Sequence, residues 1–112
     1  MAESILSRIP VVAGLAYIER VRRLPSSFVA TLAPEPENRY FRYAIAVQAA
    51  GDKVGYVAPE IAVWYYDVIA TAVTQGPVTC PARRASIADH ETSGVELLLD
   101  FSGLPVPARN EH

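Results

Sequence analysis

The chain has 112 residues, 51% of them hydrophobic and 20% charged, with ten Lys and Arg against twelve Asp and Glu. Folding at this length buries roughly 65% of the unfolded chain's surface, enough for one core without disulfides or metals, which argues against a disordered protein. No apolar run approaches the ~20 residues that span a bilayer, Met1 to Pro10 has no secretory pattern, and the single Cys80 excludes an internal disulfide and any CxxC metal site, so a cytoplasmic chain without membrane contact or cofactor is expected.

A formal net charge of −2 argues against strong nonspecific binding to phosphate backbones, which needs clustered positive charge. Nine of the ten basic residues are arginine, the side chain suited to forked phosphate contacts and to stacking. A small nucleic-acid footprint therefore stays open beside the blander reading of codon bias.

Taken in chain order, Ile9 to Tyr17 is a nearly continuous apolar run broken by Pro10 and Gly14, which predicts a buried first strand bent at the glycine. Ser27 to Leu32 alternates and predicts a second strand, ended by Pro34 and Pro36. Tyr43 to Gln48 sets Tyr43, Ile45 and Val47 on a bulky side and Ala44, Ala46 and Gln48 on a small one, and after the Gly51-Asp52 turn Lys53 to Val57 forms its hairpin partner.

From Pro59 the period changes. Proline suits the first helical turn, Glu60 complements the helix dipole, and Ile61, Trp64, Tyr65, Val68 and Ala72 recur at helical spacing, which predicts a helix over Pro59 to Val73 with that face inward. Gly76-Pro77 stops it. Val78 to Ala85 reads as a strand interrupted at Pro81, Asp89 to Gly94 as a loop, and Val95 to Phe101 as a last strand with one solvent-facing side. The expected fold is mainly β, a small, partly open OB-like barrel of five to seven strands with one or two helices, spanning residues 1–104 and followed by a flexible tail over 105–112.

Catalytic motifs are sparse. Asp89, His90 and Glu91 are the only acid-histidine cluster, and adjacent loop residues rarely converge on one ion. Cys80 with His90 makes no nucleophile motif, and no P-loop, GxGxxG or GxSxG is present, so a non-enzyme is expected. The segment EPENRYFRY, Glu35 to Tyr43, interleaves aromatic rings with Arg39 and Arg42, with Tyr17 upstream and Tyr56 downstream. Those are the ingredients of a stacking platform for unpaired bases, although tyrosines also settle on barrel rims for packing alone.

The same residues carry a resemblance. Glu35-Pro36-Glu37-Asn38-Arg39-Tyr40, then Ala44-Ile45-Ala46-Val47, then Gly55-Tyr56-Val57-Ala58-Pro59-Glu60-Ile61-Ala62 resemble the HIRAN domain, and Val12-Ala13-Gly14-Leu15-Ala16-Tyr17 is similar to its first strand. The likeness covers residues 11–73. It implies an OB-like barrel whose best understood members hold the 3′ hydroxyl end of single-stranded DNA and direct helicase or nuclease modules. It also implies that Tyr17 stacks on a base, that Asn38 and Tyr40 form the pocket loop, and that Tyr56 stands at the family's Gly-Tyr or Gly-His position.

Departures from the family pattern fall on the polar groups. The pocket aspartate is Phe41, the following asparagine is Tyr43, the usual proline is Arg39, a basic residue is Ala16, and Ala58 and Pro59 stand where a Lys or Arg is frequent. Arg39 and Arg42 restore some phosphate affinity but cannot accept a hydroxyl proton. Two functions follow. One is weak single-stranded DNA or DNA-end binding through Tyr17, Asn38, Arg39, Tyr40, Arg42 and Tyr56, which recruits a helicase or nuclease partner. The alternative is a protein-interaction module, in which Phe41, Tyr43, Trp64 and Tyr65 form an apolar patch for a partner or for a homo-oligomer.

Overall fold

A computed structural model of the chain describes residues 5–12, 17–85, 96–105 and 107. A 3-10 turn, Ile5–Arg8, leads into β1 (Ile9–Val12), α1 (Ile18–Arg22), β2 (Ser27–Pro34), β3 (Ile45–Ala49), β4 (Asp52–Val57), α2 (Pro59–Ala72), β5 (Val78–Ala85) and β6 (Glu96–Leu99). The six strands form an antiparallel barrel in the order β1-β4-β3-β2-β5-β6, closed rather than partly open because β1 pairs with both β4 and β6. Closure leaves no free sheet edge to pair with other chains.

Strand period determines what fills the barrel. Ile9 pairs with Leu99, Val11 with Leu97 and Val57, Leu32 with Val47 and Val78, and Ala30 with Cys80, and all of these side chains are buried inside. Cys80 belongs to this core, and burial pushes its thiol up to about 12, so it holds almost no thiolate at neutral pH. Pro81 does not interrupt β5. It stands opposite Asp100, one residue past the end of β6, where its carbonyl accepts the Asp100 N–H at 2.9 Å and only the reciprocal bond is missing.

Four expectations need correction. Among the described residues the first strand covers Ile9–Val12, and Tyr17, expected at its end, instead opens α1, a five-residue helix with one buried residue, Val21, too short to show a period. On α2 the inward stripe is Ala62, Tyr65 and Ile69, while Trp64 is 55% exposed and Val68 is only half-buried. Nearly every position from Ile61 to Ile69 is apolar, so spacing alone does not orient this helix. The small Ala62 lets it approach closely, and the Trp64 ring stays outside the small core. Tyr43 and Ala44 precede β3 in a turn. Finally, Leu98, on the supposed solvent side of β6, is buried where the 3-10 turn abuts the strand.

The Asp89-His90-Glu91 cluster and most of the 105–112 tail lie outside the described residues. Among the described residues no helix is long and apolar enough to cross a membrane, and no group of His, Cys, Asp or Glu is arranged to hold a metal.

Candidate functional site

The segment between β2 and β3 is fastened into one shape by its own polar groups. Glu35 N–H donates to Ala44 O at 2.9 Å and closes the neck, while Asn38 N–H donates to Glu35 O at 3.0 Å. The Asn38 side-chain oxygen then accepts the N–H groups of Tyr40 (2.8 Å) and Phe41 (3.0 Å), the asparagine-centred turn that favours this residue type in loops.

A bulge in β4 supplies the other wall. Val47 pairs with Gly55 but Gln48 pairs with Lys53, so Val54 is an extra residue in the strand. Without it, positions 53 and 56 would face opposite sides; with it, both side chains reach the outer face. Lys53 Nζ donates to Tyr56 OH at 2.8 Å and lies 2.6 Å from Glu35 Oε2, and Glu35 Oε1 accepts from Tyr56 OH (2.9 Å) and Asn38 Nδ2 (3.0 Å). This network staples the loop to the barrel.

Between loop and barrel opens a cleft of about 360 Å³, lined by Val12, Asn38, Tyr40, Phe41, Ala44, Tyr56, Val57 and Pro59. That is within the roughly 300–1,000 Å³ of small-ligand sites. The lining is mostly apolar, and Tyr40 stands at its lip with 94% of its surface exposed. The polar groups of its Tyr56 and Asn38 walls are largely engaged. Tyr56 gives its one proton to Glu35, and the Asn38 oxygen takes two backbone N–H groups. Glu35 is not among the lining residues, so the cleft offers no free carboxylate.

Burial pushes the Glu35 carboxyl upward, but hydrogen bonds from Lys53, Asn38 and Tyr56 and the Lys53 charge outweigh it and hold the group below the ordinary glutamate value. The Glu35 hydrogen bond is the main cause holding Lys53 above the ordinary lysine value. A carboxyl lowered by folding stabilises the folded chain fully above its unfolded value, and that contribution is lost as pH falls through the lowered one. The stability difference between the native chain and Glu35→Gln should therefore be largest near neutral pH and shrink toward about pH 3, measured by urea denaturation across that range. A difference constant down to about pH 3 would mean that charge is not what Glu35 contributes.

Of the expected nucleic-acid contacts, Asn38, Tyr40 and Tyr56 meet in the cleft, whereas Tyr17, Arg39 and Arg42 are not part of its lining. Tyr17 sits at the start of α1 with the Arg20 guanidinium 5.8 Å from its ring centroid, and Arg42 lies 5.3 Å from the Tyr43 ring. The expected apolar patch is dispersed. Phe41 and Tyr43 adjoin edge to face at 5.9 Å, but Tyr43 also meets Tyr66 of α2 at 5.7 Å, so both rings are half-buried rather than exposed. Tyr65 is 6% exposed and packs on Phe101 at 4.8 Å, a core residue rather than a surface one. Trp64 lines a separate groove with Asp67, Val68, Pro105 and Pro107.

Comparison with known families matches the HIRAN domain over residues 10–99, a stretch that runs from β1 to the end of β6 and so contains the barrel and the whole cleft. No curated protein and no solved structure matches the chain. Barrel, cleft and family match coincide over most of the 112 residues, and the chain belongs to the HIRAN domain family, which implies a DNA-binding module.

Proposed function

We propose that the cleft takes an unpaired base of single-stranded DNA, with Tyr40 stacking against it and the apolar walls around Phe41 and Tyr56 receiving its other edges. The observation that carries this reading is an almost fully exposed aromatic ring at the mouth of an apolar cleft, on a loop whose backbone is held in place. An exposed ring on a fixed backbone loses little freedom on stacking, and every base offers it a face. Arg39 and Arg42, both exposed on the same loop, supply phosphate contacts. The domain is not an enzyme, and processing of the bound strand falls to a separate helicase or nuclease.

Binding is weak, no tighter than micromolar, because the net charge is −2 and few cations border the cleft. Fluorescence anisotropy with single-stranded and duplex oligonucleotides at two salt concentrations tests the proposal. Single strands should bind better than duplex, with a logarithmic salt slope of about one to three. Because Phe41 occupies the cleft wall and no free carboxylate faces a terminal hydroxyl, a 3′ phosphate should weaken binding only slightly. No binding at low salt would remove the DNA role and favour the alternative, a protein-interaction or self-association module.

A further inference from the structure

We propose that Glu35 is a positioning residue for strand binding, which acts through Asn38 to hold the Tyr40 ring at the mouth of the cleft; the assignment rests on the base-stacking reading above. Glu35 is not itself part of the cleft lining. Three donors converge on its carboxylate: Lys53 Nζ at 2.6 Å from Oε2, and Tyr56 OH at 2.9 Å and Asn38 Nδ2 at 3.0 Å on Oε1. An asparagine amide has one donor end and one acceptor end, and a flip exchanges them. With its nitrogen drawn to Glu35, the Asn38 side chain turns its oxygen to the N–H groups of Tyr40 and Phe41. The flipped amide would set acceptor against acceptor at Glu35 and donor against donor at Tyr40 and Phe41, so the carboxylate fixes which end faces the loop.

The other two donors anchor Glu35 to β4, where the bulge at Val54 brings Lys53 and Tyr56 to one face. Tyr40 is 94% exposed, so its ring is placed through the backbone N–H that Asn38 holds and not by burial. The path from barrel to stacking ring thus runs from Lys53 and Tyr56 through one carboxylate to Asn38 and Tyr40. Glutamine in place of Glu35 keeps the shape but offers one acceptor oxygen to three donors, and its own N–H groups would face at least one of them. Charge gives this role a distinctive sign. A carboxylate beside a polyanion's path repels phosphates, and Glu37 stands two residues further along the same loop. On charge alone, neutralising Glu35 would tighten strand binding, whereas loss of positioning weakens it, because an unfixed ring must be ordered when the strand binds.

The test compares the full chain with Glu35→Gln, Glu35→Asp, Tyr40→Ala and the combination of Glu35→Gln with Tyr40→Ala. Binding to an oligothymidylate of about twelve nucleotides is read by anisotropy at two salt concentrations, at a temperature where urea denaturation shows each variant folded. Glu35→Gln should bind roughly 2- to 12-fold more weakly, the cost of ordering one side chain, with the salt slope unchanged. Glu35→Asp keeps the charge but is one methylene too short to hold all three donors, so it should weaken binding as well, and it carries the test if the glutamine variant does not fold. Amide exchange at Tyr40 and Phe41 should quicken in both. With Tyr40 already replaced by Ala, Glu35→Gln should change affinity by less than about twofold, since the ring it positions is gone. Equal or tighter binding by Glu35→Gln, or by Glu35→Asp where the glutamine variant does not fold, overturns the positioning role and leaves the cleft standing if Tyr40→Ala still weakens binding. A full loss from Glu35→Gln in the Tyr40→Ala background overturns it too, because Glu35 would then act elsewhere than through the ring. If Tyr40→Ala binds as the native chain does, the stacking reading falls and this role falls with it.

Discussion

Phe101→Ala is expected to remove about 3–5 kcal/mol of stability, the largest effect of any single replacement considered for this chain. Phe101 is fully buried just past β6, tilted against Tyr65 of α2 at 4.8 Å, and its N–H donates to Leu6 O at 2.8 Å. One residue thus joins the last strand, the second helix and the N-terminal turn, the helix through its ring and the turn through its backbone. Removing the ring opens a cavity between elements that closed-barrel pairing prevents from moving together, so little of the lost contact is recovered. A domain of this size has a total stability of about 5–15 kcal/mol, so the variant loses a large part of it. The urea midpoint should fall by about a fifth or more with an unchanged slope. Val63→Ala, on the exposed side of α2, should stay within about 0.5 kcal/mol of the native chain. Equal midpoints for the Phe101 variant and the native chain would show that this junction does not hold the fold together.

The barrel was legible in the sequence wherever one period ruled a segment. Alternation marked β2 from Ser27, the Gly51 turn marked the β3-β4 hairpin, and Pro59 with Glu60 marked the start of α2, whose end differs by one residue from the expected one. Where a segment is apolar on every side, the period says little about direction, and on α2 Tyr65 is buried as expected while Ala62 and Ile69, rather than Trp64 and Val68, complete the stripe. Short elements escape for another reason. A helix of five residues such as α1 completes little more than one turn and buries only Val21, so no repeat exists to be read.

The site divides in the same way. Asn38, Tyr40 and Tyr56, which the family resemblance singles out from contiguous motifs, do line one cleft. Glu35 and Lys53 were not legible as a pair, since their contact spans the barrel and depends on the extra residue Val54, which no spacing rule announces. Gly55 beside it is the one local signal of a bulge. The small side expected for β3 does have a use that alternation could not name: Ala44 lines the cleft and Ala46 pairs with Tyr56 beneath the loop. Phe41 and Tyr43, expected in an exposed apolar patch, are half-buried because the turn before β3 sets the Tyr43 ring against Tyr66 and the Phe41 ring against Tyr43.

Tyr40→Ala should weaken single-stranded DNA binding by roughly 5- to 150-fold, the equivalent of about 1–3 kcal/mol for one stacked base. The ring is 94% exposed and its backbone N–H is what Asn38 holds, so the replacement leaves the loop's hydrogen bonds in place and the denaturation midpoint within about 0.5 kcal/mol. Stacking uses the face of the ring and not its hydroxyl, so Tyr40→Phe should bind within about twofold of the native chain. The salt slope should also be the same in Tyr40→Ala, because no phosphate contact is removed. These readouts separate the ring from the charge around it: a fall in affinity with a constant slope and a constant midpoint assigns the loss to stacking. A fall that Tyr40→Phe shares would instead make the hydroxyl the binding group, and the cleft would then recognise its ligand by hydrogen bonding and not by a base laid against an aromatic face.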